Sequence, residues 1–480
     1  MQMPDNNSQK KNKICLTDYN FHQDIDNRLL MAQFTSIDLE VLEEILYSSI
    51  TIPVRKLGKN LDLDENQLQP ILEKLSKTGL FTFTKELITV DKEMRKYFEM
   101  QLLKFDPDFR PGIDFLQSLL RKIPIHVLPV WYSISRVSSN IFDSIIEKYL
   151  LTPQIFQRYL MELSFSNPVL DIIVKDLYNA PDFTLFAKEI MEKHHLSREL
   201  FEEHLLYLEF HFLCCLGYRK VKDEWEEIVT PFQEWQEYLS FLRTTEAPPI
   251  FGSARMQRFR PHDFSFIQDL SSVLTLAKKQ PISLSIGQGE EIILNPTSQS
   301  EVAIQLQGFN VDAPTFKPYV SRLINKLRLL KLADIVDNRL YALETSSDYL
   351  DTRAENQAMF LYRHPLNRPE LTQIPSSLCT DRNLKEAEKT IQRVLYSGWV
   401  YFDDFIKGVI ISLSEQSLII LKKQGKTWKY QLPTYSDDEV ALIKTIIFDW
   451  LFEVGVTAIG TCEGKDCFSV TPFGQSLFGR

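Results

Sequence analysis

The feature that most constrains this 480-residue chain is an internal repeat, in which three helical patterns are followed by two short strand patterns, four times over. In the first copy Leu39, Leu42, Ile45 and Leu46 have helical spacing. Val54 to Leu61 forms a second helix, and Asp64-Glu65 introduces a third carrying Leu68, Ile71, Leu72 and Leu75. Gly79 ends that helix, Leu80 to Phe83 opens a strand, and Leu87 to Val90 follows a short turn as its partner. The second copy starts at Asn167, with helices over Leu170 to Leu177 and Leu185 to His194. A third, capped by Ser197, runs through Phe201, Leu205 and Leu208, and the strands are Leu213 to Tyr218 and Glu227 to Val229. The third copy starts at Phe264. Its clearest helix is Thr315 to Leu332, its strands are Ala333 to Val336 and Leu340 to Leu343, and Ile282 to Phe309 reads as an insertion. The fourth has helices over Leu384 to Leu395, Val400 to Ile411 and Asp438 to Phe452, with strands near Val456 to Ile459 and Phe468 to Val470.

A short internal match supports this alignment. Val229-Thr230-Pro231-Phe232 closes the second copy and Val470-Thr471-Pro472-Phe473 the fourth, where Thr suits a helix cap and Pro the first helical position. The implied division is a polar amino-terminal tail (1–34), a first unit (35–108), a helical connector (109–166), a second unit (167–242), a basic linker (243–262), a third unit with its insertion (263–350), a linker (351–377) and a fourth unit (378–480). Composition agrees. Sixteen glycines disfavour folds that use glycine in phosphate loops, whereas 32 phenylalanines fit several small cores that each need aromatic filling.

Three helices followed by a hairpin is the order of a winged helix, so the chain resembles a tandem winged-helix protein. The expected fold class is mainly α with small β-hairpins, α+β, joined by helical connectors. The last unit carries a further resemblance. Ser397-Gly398-Trp399-Val400, Trp428-Lys429-Tyr430, Asp449-Trp450-Leu451-Phe452-Glu453-Val454-Gly455 and Phe468-Ser469-Val470-Thr471-Pro472-Phe473-Gly474 succeed one another as in the helicase-associated region at the amino end of XPB-type helicases. No helicase motor accompanies it.

Winged helices commonly contact DNA through the third helix, with the hairpin on the backbone. The net charge of −10 does not draw nucleic acid to the whole molecule, so a local basic patch is required. Three of the four third helices are neutral or acidic. The first mixes Asp64, Glu65 and Glu73 with Lys74 and Lys77, the second holds Glu199, Glu202, Glu203 and Glu209 against Arg198, and the fourth opens Ser436-Asp437-Asp438-Glu439. Such helices suit docking to proteins. The third differs, holding Lys317, Arg322, Lys326, Arg328 and Lys331 with no acid, and Ser321 and Asn325 opposite its apolar face. Arg255, Arg258 and Arg260 precede it among aromatic residues. Residues 251–331 hold ten Lys or Arg and six Asp or Glu, a balance of +4, which leaves −14 elsewhere. The expected nucleic-acid-binding residues are therefore Lys317, Arg322, Asn325, Lys326, Arg328, Lys331, Arg255, Arg258 and Arg260, Asn325 or an Arg reading base edges and the remaining cations contacting phosphates. The opposing expectation is a solvated face whose charges pair with neighbouring domains.

Catalytic signals are weak. Gly464-Lys465 lacks phosphate-loop spacing, and Gly287-Gln288-Gly289 lacks a third glycine. His194, His195, His204 and His211 with Glu203 offer a metal site only as a minor alternative to packing, and Cys462 and Cys467 have no companion ligand. No enzyme, cofactor, metal or small-molecule substrate is expected. Six scattered cysteines fit a reducing compartment. Met1 to Lys13 is polar and reads as a disordered tail, and the most apolar stretch, Leu442 to Gly460, carries Lys444, Asp449 and Glu453. A cytoplasmic protein without a membrane span is expected. Two functions follow as expectations: DNA binding through the third unit with a protein partner on the acidic units, in transcription, replication or chromosome maintenance, or an assembly subunit whose winged helices only dock proteins.

Overall fold

Three of the four repeats open where a side chain, Thr35, Asn167 or Thr380, accepts from a backbone N–H of the first helix. In the computed structural model, which describes residues 13–135, 140–222, 224–252, 256–287, 292–306, 309–425 and 427–479, the chain divides into two compact units. One comprises residues up to 240 with 420–431, the other 241–419 with 432–480. About 52% is helix and 15% strand, in small antiparallel sheets, so the fold is α+β. No helix among the described residues is long and apolar enough to cross a membrane.

In the first unit α1 (Phe21–Met31) precedes α2 (Ser36–Tyr47), β1 (Thr51–Pro53), α3 (Val54–Leu61), α4 (Glu65–Ser76), β2 (Phe81–Phe83), β3 (Leu87–Val90) and α5 (Lys92–Leu102). Capping boxes, Thr35 with Asp38 and Asp64 with Gln67, start α2 and α4. Gly79, at φ +73°, makes the turn out of α4. Leu42, Ile45, Leu57, Leu72, Leu75 and Ile88 then share one core with Phe98 of α5. The connector is helical: α6 (Ile113–Leu120), α7 (Leu128–Trp131), α8 (Ile141–Ile145) and α9 (Pro153–Glu162). The second copy contributes α10 (Pro168–Asn179), β4 (Leu185–Phe186), α11 (Ala187–His194), α12 (Arg198–Phe210), β5 (Cys215–Val221) and β6 (Glu224–Thr230), followed by α13 (Gln233–Thr244).

The second unit holds β7 (Met256–Arg258), α14 (Ser265–Lys279), β8 (Ile282–Ile286), β9 (Ile292–Leu294), α15 (Pro296–Gln305), α16 (Phe316–Leu329), β10 (Ala333–Val336), β11 (Arg339–Ala342), α17 (Ser346–Leu350) and α18 (Ala354–Arg363). Then come α19 (Asp381–Lys389), β12 (Val400–Tyr401), α20 (Phe402–Phe405), the hairpin β13 (Leu421–Gln424) and β14 (Thr427–Tyr430) that belongs to the first unit, α21 (Asp437–Thr445), a π-helical turn at Ile446–Trp450, α22 (Leu451–Glu453), β15 (Thr457–Cys462), β16 (Lys465–Val470) and α23 (Pro472–Phe478).

A third strand recurs that the sequence pattern does not reveal. In every copy the short strand after the first helix pairs antiparallel with the second hairpin strand: β1 with β3, β4 with β6, β8 with β11 and β12 with β16. These strands are two to five residues long, too short for alternation to register in sequence.

Several expectations change. The expected tail contains α1, in which Arg28 is 1% exposed and Phe21 and Met31 are buried; residues 1–12 lie outside the described residues. The expected insertion, 282–309, supplies β8, β9 and α15, and Leu284, Leu294 and Val302 join the core. Val400 to Ile411 is a strand and short helical turns rather than one helix, because Val400 and Tyr401 pair with Phe468 and Cys467 of β16. The basic linker contains β7, which extends the sheet at β15, and the 351–377 linker contains α18 with Ala358 and Leu361 buried. The Val-Thr-Pro-Phe match holds mechanically at its second occurrence, where the Thr471 hydroxyl accepts from Gly474 N and Pro472 opens α23. At the first, α13 begins only at Gln233.

Candidate functional site

The apolar face of α16 packs as its periodicity requires, with Phe316, Tyr319, Val320, Leu323, Ile324 and Leu327 buried in the core of the second unit. Its basic residues part company. Lys326 is buried, its Nζ 3.1 Å from a Glu453 carboxylate oxygen and donating to Asn367 Oδ1 at 2.7 Å. Arg322 is mostly covered, donates to Asp449 and lies 3.7 Å from Glu453. Burial opposes the charge on Arg322, but Asp449 and Glu453 outweigh it and raise its pKa. Burial raises that of Glu453, against the pull of Lys326 and Arg322.

The arginines ahead of α16 follow the same pattern. Arg260 is buried, donating at 2.8 Å to Asp269, whose other oxygen accepts from the Tyr319 hydroxyl at 2.6 Å. Arg258, in β7, donates to Asp263 at 2.6 Å and sits 5.8 Å from the centre of the Trp399 ring. Arg255 lies outside the described residues.

Arg260, Arg322 and Lys326 are therefore removed from the expected nucleic-acid surface: their guanidinium and ammonium groups are neutralised inside the unit. Lys317, Arg328 and Lys331 remain exposed, with Ser321 and Asn325 half-buried. Lys317, Ser321, Asn325 and Arg328 form a stripe at spacings of four, four and three on the outer face of α16. Arg328 Nε is 3.9 Å from Asp334, a loose surface contact of small energetic weight.

The acidic helices also turn charge inward. In α12, Glu202 and Glu209 are buried and both accept from Arg28 of α1; the Arg28–Glu202 distance is 3.2 Å. Burial raises the Glu202 pKa, with Arg28 and Arg198 opposing. Glu209 Oε1 also takes the Leu216 N–H at 3.0 Å. Of the acids on that helix only Glu199 and Glu203 stay exposed. In α21 Glu439 is buried in a capping box with Ser436 and accepts from Ser417 Oγ at 3.1 Å, so Asp437 and Asp438 alone face out.

Two of the histidines, His204 and His211, sit in packed settings, whereas His195 is exposed at the end of α11. His211 is buried with Nδ1 2.7 Å from the Tyr207 carbonyl, and burial pulls its pKa down to about 4. His204 lies 2.9 Å from Asn167 Nδ2. Among the described residues no group of three or more His, Cys, Asp or Glu is placed to hold a metal. Cys462 and Cys467 lie on the β15–β16 hairpin, opposite Lys465 and Gly460, and burial pushes the Cys467 thiol up to about 11.

Two concave sites lie apart from the expected nucleic-acid-binding residues. In the second unit a 460 Å³ pocket includes Tyr362, Arg363, Arg368, Glu388 and Trp450, with Glu388 accepting from Tyr362 at 2.9 Å and from Trp450 at 2.7 Å. In the first unit a 420 Å³ groove lies among α2, the end of α5 and the β5–β6 hairpin, lined by Glu40, Glu43, Tyr47, Leu103, Asp106 and Trp225 among others. One available signal was the outward face of α2, where Glu40, Glu43 and Tyr47 recur at helical spacing. Comparison with protein-family models and with curated proteins finds no match for this chain.

Proposed function

We propose that the chain is a non-enzymatic assembly protein whose four repeats are winged-helix modules used to dock a protein partner. The repeat topology supports the module reading, since the first two copies run helix, short strand, helix, helix, hairpin, the third and fourth do so with β9 and the β13–β14 hairpin added, and in all four the short strand lies on the second hairpin strand. The observation that carries the docking reading is the fate of the basic residues. Arg260, Arg322 and Lys326, three of the nine expected nucleic-acid contacts, are ion-paired within their own unit. What is left around α16 is too sparse to dominate a molecule of net charge −10.

The test is affinity capture with and without nuclease, alongside binding of a labelled mixed-sequence duplex at low salt. Partners retained after digestion, with no duplex binding, are expected. Partners lost on digestion, with duplex binding that weakens steeply as salt rises, would overturn the reading. A second reading, DNA contact through the third module, is favoured by the stripe Lys317, Ser321, Asn325 and Arg328. It predicts that Lys317→Glu with Arg328→Glu abolishes duplex binding. Reversing Arg322 or Lys326 cannot decide the matter, because either change also breaks an internal ion pair.

A further inference from the structure

We propose that the groove over α2 binds a short basic, amphipathic peptide segment of the partner. The inference rests on the docking reading and names both the surface and the chemistry of its ligand.

The groove measures 420 Å³, the size of a few side chains, so its occupant is an extended or helical segment rather than a domain face. Its apolar lining is partly open to solvent. Tyr47 is 68% exposed and Leu103 42% exposed, while the half-buried Trp225 is braced edge-on by Phe105, at 5.7 Å between ring centres. Side chains this apolar do not gain by facing water, and their clustering beside acids makes a mixed surface of the kind that binds peptides.

The charge is complementary to a base. Glu40, Glu43 and Asp106 line the groove against one cation, Lys220. Among the described residues no cation is ion-paired with Glu40 or Glu43. Elsewhere in the unit Asp24, Asp38, Glu202, Glu209 and Glu227 each hold a Lys or Arg, so their charge is already met. A Lys or Arg of the ligand can meet the carboxylates of Glu40 and Glu43 while its charge lies over the Tyr47 ring. A neighbouring apolar side chain fits against Leu103.

The probe is a fluorescein-labelled dodecapeptide of alternating Lys, Leu, Arg and Ala, with a control in which Glu replaces the cations, titrated into the full chain by anisotropy. Saturable binding of the basic peptide and none of the control is expected. Glu40→Lys with Glu43→Lys should weaken it at least tenfold and Tyr47→Ala about fivefold, with thermal unfolding unchanged because all three side chains are exposed. Equal affinity for the charge-reversed protein, or no effect of Tyr47→Ala, would mean diffuse attraction and overturn the proposal. If the peptide does not bind but nuclease-resistant partners persist, the groove assignment fails while the docking reading stands. If neither is seen, both fail.

Discussion

Helices α16 and α2 make an instructive pair. Helix α16 is conspicuous in sequence, with five cations and no acid between Thr315 and Leu332, whereas α2 has the pattern of an ordinary amphipathic helix. In the fold the order reverses. Arg322 and Lys326 of α16 close onto Asp449 and Glu453, whereas Glu40 and Glu43 of α2 stand open beside an exposed aromatic ring. Helix α12 behaves like α16, since Glu202 and Glu209 meet Arg28. A run of charge on one helix thus marks a place where an opposite charge can be recruited, and only the packing determines whether the recruit is internal or a ligand.

The sharpest way to break this comparison is to remove the internal recruit. Arg28→Ala leaves Glu209 buried without its cation and Glu202 with Arg198 alone, and should cost about 3–5 kcal/mol, read as a loss of thermal or denaturant stability of the first unit. An effect below about 1 kcal/mol would show that water reaches Glu202 and Glu209. Lys326→Ala should cost about 3 kcal/mol at neutral pH and less in acid, since Glu453, already inclined to hold its proton, becomes neutral as pH falls. Its loss of stability should therefore shrink steadily when unfolding is measured at lower pH.

A third case is a buried acid with no cation at all. Glu234 accepts the Ile113 N–H at 3.0 Å through Oε1, its Oε2 has no partner among the described residues, and burial pushes its pKa up to about 7. The neutral acid is the form the fold favours, so stability is fully present below the unfolded value and is lost as pH rises toward and through 7. The loss should approach about 3 kcal/mol above pH 8, and Glu234→Gln should flatten it while keeping the hydrogen bond. A wild-type unfolding profile without that slope between pH 5 and 8 would remove Glu234 from the account. At the small end, Lys317→Glu, Arg328→Glu, Glu40→Gln and Glu43→Gln should each change stability by less than about 0.5 kcal/mol, since none is ion-paired in a buried setting. A larger loss in any of them would erase the distinction between α16 and α2.

Much of the secondary structure was legible because it rests on local chemistry. The apolar spacing in α4, the Ser197 cap of α12 and the hairpins after each third helix needed only periodicity and turn residues. The expected helix Thr315 to Leu332 is α16, Phe316–Leu329, with the chain left-handed at Lys331. Short elements were not legible. Strand β4 has two residues and β1 three, and each exists because β6 or β3 offers free backbone groups beside it. Helix α18 reads as linker because of its neighbouring prolines, yet it ends before Pro365 and buries Ala358 and Leu361.

The sequence by itself determined the repeat, the α+β class and the amphipathic faces, since these depend on residues three or four positions apart. Tertiary structure alone decided which charges remain exposed. Arg322 and Asp449 are 127 positions apart, and Arg28 and Glu209 are 181 apart. An ion pair at such separation leaves no periodic trace, because its stabilisation comes from desolvation and proximity that exist only after the helices have packed.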